Sequence, residues 1–433
     1  MKKIFILLFL GAGASVAAQT PFADCFFDKT MRFDYYHAGD SRSEEYFFDA
    51  LKEEPYWAGS KVSLVDTTGY GNQFFRIVDR VSGREIYSRG FCTLFNEWQS
   101  TPEADSVRRS YPESVVFPYP KRPCRIEIFT RNGKGRFEKR FSQNIDPDSY
   151  FIERFTPRCE TFEVMYSGNS AQRVDIVLLP EGYGAGERAK FESACRTFAD
   201  EFFSYSPYKE NAARFNVRAV WTPSDDSGVT IPGENVWRNT ACGASFYTFD
   251  SERYQMVTDF QRLRDMAAHV PYDYIYVLSN TQKYGGGGIF NFYGISAAHH
   301  PTRTGKIYVH EFGHLLLGLG DEYVGTTSYD DMYAKNIEIL EPDGGGGNSR
   351  ADARHGGVRR CRGRFRRRRV CRRGRLPPVA ELPDEQPAQN GRVLSGLQQG
   401  YCRLYRLPLQ ITETHSRKAG KPAGICVADT LSD

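Results

Sequence analysis

The segment His310-Glu311-Phe312-Gly313-His314, continued by Leu315-Leu316-Leu317-Gly318-Leu319-Gly320 and then Asp321-Glu322-Tyr323, decides how the chain is read. On a helix, residues four apart project from one face about one turn apart, so His310 and His314 reach one metal ion with Glu311 beside them. Neutral imidazoles are zinc ligands, and a catalytic zinc site takes three protein ligands and leaves the fourth position to water. Zinc lowers the pKa of that water from ~16 toward ~7, and a neighbouring carboxylate accepts the proton as the water attacks a polarised carbonyl. The residue set therefore predicts a hydrolytic centre with Zn2+ as cofactor, His310 and His314 as metal ligands and Glu311 as general base.

A third ligand is expected close downstream. Gly318 and Gly320 let the chain leave the helix and turn back under the metal, which makes Asp321 and Glu322 the available carboxylates. The third histidine of the H-E-x-x-H-x-x-G-x-x-H pattern is absent, because Gly320 stands in its place. The same letters also fit a structural helix in which two histidines and a carboxylate face water. The flanks weigh against that: Ile307, Tyr308, Val309, Phe312, Leu315, Leu316 and Leu317 make the helix apolar around much of its circumference, hence buried. Ionisable groups on a buried helix need a partner, and a metal supplies one.

The chain has 433 residues, enough for two or three domains. Lys2 and Lys3 precede an apolar run from Ile4 to Leu10 and the small residues Val16-Ala17-Ala18. This reads as a secretory signal peptide over residues 1–18, cleaved before Gln19, and predicts a periplasmic or extracellular protein. Cys25 is not preceded by a lipoprotein cleavage pattern, and no later stretch is apolar for long enough to span a bilayer. The ten cysteines show no C-x-x-C pair; Cys25, Cys92, Cys124, Cys159, Cys195 and Cys242 read as buried small hydrophobes more readily than as disulfide partners.

The net charge of +4 comes from an arginine-dense tract between Arg350 and Arg375, without which the chain is acidic. The tract lacks interleaved aromatics apart from Phe365 and has no helical period, so a nucleic-acid partner is not expected. It follows Gly344 to Gly347 in a region where Arg, Gly and Pro rise and apolar periodicity vanishes. Residues 342–433 are accordingly expected to be a disordered tail, and an out-of-frame reading of the gene would account for them.

From Ala23 to Phe155 the text consists of short alternating strands: Lys61 to Val65, Gln73 to Val78, Arg84 to Ser88, Ser114 to Phe117, Arg125 to Thr130 and Arg136 to Phe141, with hairpin turns at Ser82-Gly83 and Asn132-Gly133. That spacing predicts an antiparallel β-sandwich over residues 19–157. His37 stands alone there and reads as a structural or surface residue rather than a ligand. After a linker, strands at Arg173 to Leu179, Phe215 to Thr222 and Tyr272 to Ser279 alternate with helices at Glu187 to Ser204 and Ser251 to Ala268. Alternation of this kind predicts a mostly parallel sheet covered by helices, over residues 158–341. Next comes Tyr284-Gly285-Gly286-Gly287-Gly288-Ile289-Phe290-Asn291-Phe292-Tyr293-Gly294. Its glycines permit close backbone approach, and its aromatic run offers an edge strand to which an extended peptide can add; a plain glycine hinge fits equally. His299 and His300 read as rim residues.

Asp175-Ile-Val-Leu-Leu-Pro-Glu-Gly-Tyr183, Ser224 to Gly228, the Gly285 to Tyr293 run and His310 through Tyr323 resemble the catalytic domain of the bacterial immunoglobulin A peptidase family of zinc metallopeptidases. The β-rich region before them resembles the N-terminal domain that accompanies it. The resemblance implies an α+β multidomain chain: an N-terminal antiparallel β-sandwich, then a metzincin-like α/β zinc peptidase domain. It implies Asp321 as the third metal ligand and a protein or peptide substrate, immunoglobulin A or another host glycoprotein among the candidates. The family's C-terminal region, rich in Trp, Pro and Cys, is replaced here by the arginine tract. Two functions therefore follow as expectations: a secreted zinc endopeptidase, or a catalytically impaired binding or adhesion protein that retains the peptidase scaffold.

Overall fold

In the computed structural model, residues 21–302 and 304–320 are described. A short helix α1 (Phe22–Cys25) leads into β1 (Phe26–Gly39), β2 (Glu44–Glu54), β3 (Gln73–Asp79), β4 (Glu85–Phe91), α2 (Leu94–Gln99), β5 (Arg109–Pro120), β6 (Cys124–Arg131), β7 (Phe137–Ile145) and β8 (Glu153–Arg154). The strands form two four-stranded sheets, ordered β5-β1-β2-β8 and β4-β3-β6-β7. Every pairing is antiparallel except β2 with β8. Phe33, Tyr35 and Phe117 of one sheet and Phe75, Ile77 and Ile126 of the other enter one apolar core, as alternate residues of facing strands do. This is the expected N-terminal β domain.

Two readings within it are corrected. Lys61 to Val65 is not a strand: the Ser60 hydroxyl accepts the N–H groups of Val62 and Ser63 and turns the chain locally instead. The two long strands β1 and β2 do not stand among the expected ones. β1 does carry a period of two, Met31, Phe33 and Tyr35 alternating with Arg32 and Asp34, but its charged side is buried as well, joined by Arg32 Nε to Asp34 Oδ1 at 2.6 Å. A charge in an alternating pattern reads as solvent, and here it faces protein. His37, buried as well, lies between Glu113 at 3.1 Å and Glu44 at 3.2 Å and stacks on Tyr46, a structural histidine.

The second half contains β9 (Glu160–Met165), β10 (Val174–Glu181), α3 (Arg188–Phe202), α4 (Tyr208–Asn211), β11 (Phe215–Trp221), α5 (Phe260–Ala267), β12 (Tyr274–Ser279), β13 (Gly286–Gly288), β14 (Gly294–Ala297) and α6 (Thr304–Leu317). Its six-stranded sheet runs β13-β14-β12-β10-β11-β9, parallel in the middle and antiparallel at both outer pairs. β10, β11 and β12 are buried at every residue, as a sheet covered on both faces requires. The helix expected from Ser251 to Ala268 is shorter. Residues before it pair extended, Ser245 with Met256 and Tyr254 with Gly286, and the Asp259 carboxylate then caps the Arg262 N–H at 3.0 Å to start α5.

The halves share interior. Leu94, Phe95 and Trp98 of α2 pack with Phe260, Phe290, Phe292 and Tyr293 in one core, each fully buried large side chain contributing ~1.5–3 kcal/mol. Arg32 reaches across to α5, with Nη1 on Asp265 at 2.7 Å and Nη2 on the Gln261 carbonyl at 3.0 Å. Among the described residues five of six cysteines are buried and Cys159 is half-buried, which agrees with their reading as small hydrophobes. No helix among these residues is long and apolar enough to cross a membrane.

Candidate metal centre

α6 folds as a helix because its apolar residues recur at Tyr308, Phe312, Leu315 and Leu316, a face that meets α3 and the sheet. Phe312 packs on Phe202 with ring centroids 4.9 Å apart, and Tyr308 packs on Phe198 at 4.9 Å. Burying that face turns His310, Glu311 and His314 the other way. His310 is exposed, and Glu311 and His314 are half-buried. The ligand-capable atoms of the three lie within 4.8 Å of one another.

The two imidazoles converge. His310 Nε2 and His314 Nε2 stand 3.2 Å apart with their rings nearly perpendicular, at 87°. Two donors bound to one tetrahedral ion at ~2.0–2.1 Å are about 3.3 Å apart, so this spacing suits a single ion. The second ring nitrogen of His314 settles its tautomer: Nδ1 bonds the Leu319 carbonyl, which leaves the Nε2 lone pair toward His310. Gly318 makes that bond possible. Its φ of +61° ends the helix in a left-handed cap whose N–H donates to the His314 carbonyl at 2.8 Å, and the chain turns back over His314.

The glycine run lies against this face. β13 is the outer strand of the sheet, and a Cβ at Gly286 would meet Glu311 Oε1 at 3.1 Å, while one at Gly288 would meet the Glu311 carbonyl oxygen at 2.2 Å and His314 Cβ at 3.2 Å. The close approach expected of these glycines is thus to the metal helix. The edge strand is the glycine stretch itself. Phe290, Phe292 and Tyr293, read as edge residues, are buried in the turn that follows, because their rings complete the core shared with α2.

A match of residues 162–344 to the family described as IgA Peptidase M64, and of residues 21–142 to the one described as Peptidase M64 N-terminus, places both halves of the chain. The chain belongs to the IgA peptidase M64 family. No curated protein matches it. As an M64 peptidase it has protein as its substrate class and a metallopeptidase scaffold, and the His310, Glu311 and His314 group is a possible metal site on it.

Other expected residues fall as follows. Asp321, Glu322 and Tyr323, the signal peptide and the tail of residues 342–433 lie outside the described residues. His299 stands apart from the metal group and shares a 3.0 Å hydrogen bond between its Nε2 and the Tyr183 hydroxyl. Burial lowers its pKa, with Lys190 adding to the effect. His300 packs on the Tyr284 ring. What the sequence reading missed is the support of the edge strand by Tyr254, whose ring faces Gly287, and no local signal marks it.

Proposed function

We propose that this M64 peptidase is an exported zinc endopeptidase whose metzincin-like catalytic domain, residues 158–341, holds zinc through His310, His314 and Asp321. The observation that carries the reading is the 3.2 Å approach of two imidazole nitrogens, one with its tautomer fixed by the Leu319 carbonyl. Imidazole donors and a tetrahedral bite suit zinc. When bound, zinc supplies Lewis acidity that acidifies water and polarises a carbonyl.

The rest is done by the chain. Glu311, one residue from His310 and half-buried against Gly286, accepts the proton of the attacking water and returns it to the leaving amine. The main-chain groups of Gly286 are taken by Arg253 and Gln255, so it is at the Gly288 end of β13, beside Glu311 and His314, that an extended substrate adds as a further strand. A glycine strand has no side chains to hold the substrate off. Export rests on Lys2, Lys3 and the apolar run that follows. Immunoglobulin A or another host glycoprotein is the proposed substrate, resting on the family description alone.

The test is metal analysis of purified protein together with digestion of casein and immunoglobulin A by the native chain and by Glu311→Gln. One zinc per chain in both proteins is expected, with cleavage by the variant reduced ~10²–10⁴-fold and cleavage by the native chain abolished on chelation. Undiminished cleavage by Glu311→Gln, or a protein that takes up no zinc, defeats the proposal. Bound zinc with no cleavage by the native chain supports the adhesion alternative.

A further inference from the structure

The edge strand beside the metal helix is backed by Tyr254, which in turn bonds a residue of the N-terminal β domain. Successive side-chain positions of a strand face opposite ways, and here the two faces of β13 meet different things. Gly286 and Gly288 face Glu311 and His314; Gly287 faces Tyr254, where a Cβ would lie 2.6 Å from ring atom Cε2, and Met256, where it would lie 2.3 Å from Sδ. The segment carrying Tyr254 is bonded to the strand directly: Gly286 N–H donates to the Arg253 carbonyl at 3.2 Å and Gln255 N–H to the Gly286 carbonyl at 3.3 Å.

Tyr254 is in turn anchored from a distance of 157 residues in sequence. Its hydroxyl donates a hydrogen bond to Oε2 of Glu97, a buried carboxylate on α2. The turn after β13 is fixed from the same domain, with Cys92 N–H donating to the Phe290 carbonyl at 2.9 Å and Asn291 Nδ2 to the Gly90 carbonyl at 2.8 Å. A three-glycine strand is intrinsically permissive and loses much conformational freedom on ordering. Its position is therefore set by what presses on it.

We propose that Glu97 and Tyr254 are positioning residues that hold β13 at its height over Glu311 and His314, so that the N-terminal β domain is a working part of the substrate site. This rests on the peptidase reading for its consequence in catalysis, though not for its consequence in strand order. A strand that receives substrate by main-chain bonds affects how an extended peptide is held, whereas Glu311 and the histidines remain in place when the strand loosens. Loss of the Tyr254 hydroxyl consequently acts on KM.

The experiment uses the full chain with Tyr254→Phe, and Glu97→Gln as the variant that keeps a hydrogen-bond acceptor. Hydrogen exchange at the amides of residues 285–288 is measured first, on metal-free protein. Tyr254→Phe is expected to speed it at least tenfold, Glu97→Gln less, with exchange in β10 unchanged. For hydrolysis of an eight-residue peptide, Tyr254→Phe is expected to raise KM several-fold with kcat within twofold and zinc content unaltered. Unchanged exchange at the glycines overturns the proposal whatever the activity. A fall in kcat and folded fraction together, with exchange raised throughout the sheet, also overturns it and makes Tyr254 a stability residue. Faster glycine exchange in a chain that cleaves nothing upholds the positioning role and leaves the peptidase reading as the one that failed.

Discussion

Gly288 and Glu311 touch backbone to backbone: a Cβ on the glycine would stand 2.2 Å from the Glu311 carbonyl oxygen. No side chain can occupy that position without parting the edge strand from the metal helix. Gly288→Ala is expected to cost ~1–3 kcal/mol as an overpacking change and to reduce zinc occupancy, because His314 Cβ is the next atom displaced. Thermal melting and metal analysis check it. Gly133→Ala, where nothing lies within 4 Å, is the control expected to change neither.

Gly318→Ala tests the cap that sets the His314 tautomer. With φ at +61°, a side chain there costs ~1–2 kcal/mol, and its Cβ would meet Phe290 Cγ at 3.2 Å. Relief by unwinding the turn withdraws the Leu319 carbonyl from His314 Nδ1. Zinc affinity is expected to fall ~10–100-fold, as it does when an outer partner of a metal histidine is lost. Competition with a chromogenic chelator measures it, and an unchanged affinity would remove the role assigned to the cap.

Arg32 links the two halves. It is buried with Asp34 and lies 3.8 Å from Glu54 and 2.7 Å from Asp265. Arg32→Leu takes the buried guanidinium from two buried carboxylates, leaving Asp34 only Lys52 at 3.5 Å, and is expected to destabilise by ~3–5 kcal/mol. Urea unfolding reads the loss. Arg32→Leu combined with Asp34→Leu is expected to recover part of it, since the stranded charge is removed along with its partner.

Glu187 gives the fold an acid-dependent component. Burial works to raise its carboxyl, but the Gly184 N–H, the Ser227 hydroxyl, the Asn280 amide and Lys190 outweigh that and hold it at about 2. An unfolded glutamate titrates at ~4.3. A folded value below the unfolded one stabilises the protein fully above that pH, and the contribution is lost as pH falls through about 2. The gap in melting temperature between the native chain and Glu187→Gln is therefore expected to be widest near pH 6 and to close by pH 2. A gap independent of pH would mean that the hydrogen bonds do not distinguish carboxylate from carboxamide.

The parallel strands were legible because apolar residues fill most of their positions, and the metal helix because its apolar face and its histidine face are set by spacing alone. β1 was not read as a strand: its Arg32 and Asp34 suggest a solvated face, and the partners that bury that charge include Asp265, 233 positions away. The aromatic turn after β13 was misplaced for a related reason. Phe290, Phe292 and Tyr293 suit an exposed edge or a core equally well until the packing of Phe95 and Trp98 against them is known.

By itself the sequence determined which groups meet on the helix. Two imidazoles and a carboxylate at fixed helical spacing come together on one face wherever the helix lies, because those relations are local. Tertiary structure alone decided what faces them. A glycine strand, its tyrosine support and the distant Glu97 meet at the site only because sheets and helices pack around shared cores, and no local run of residues encodes such a meeting.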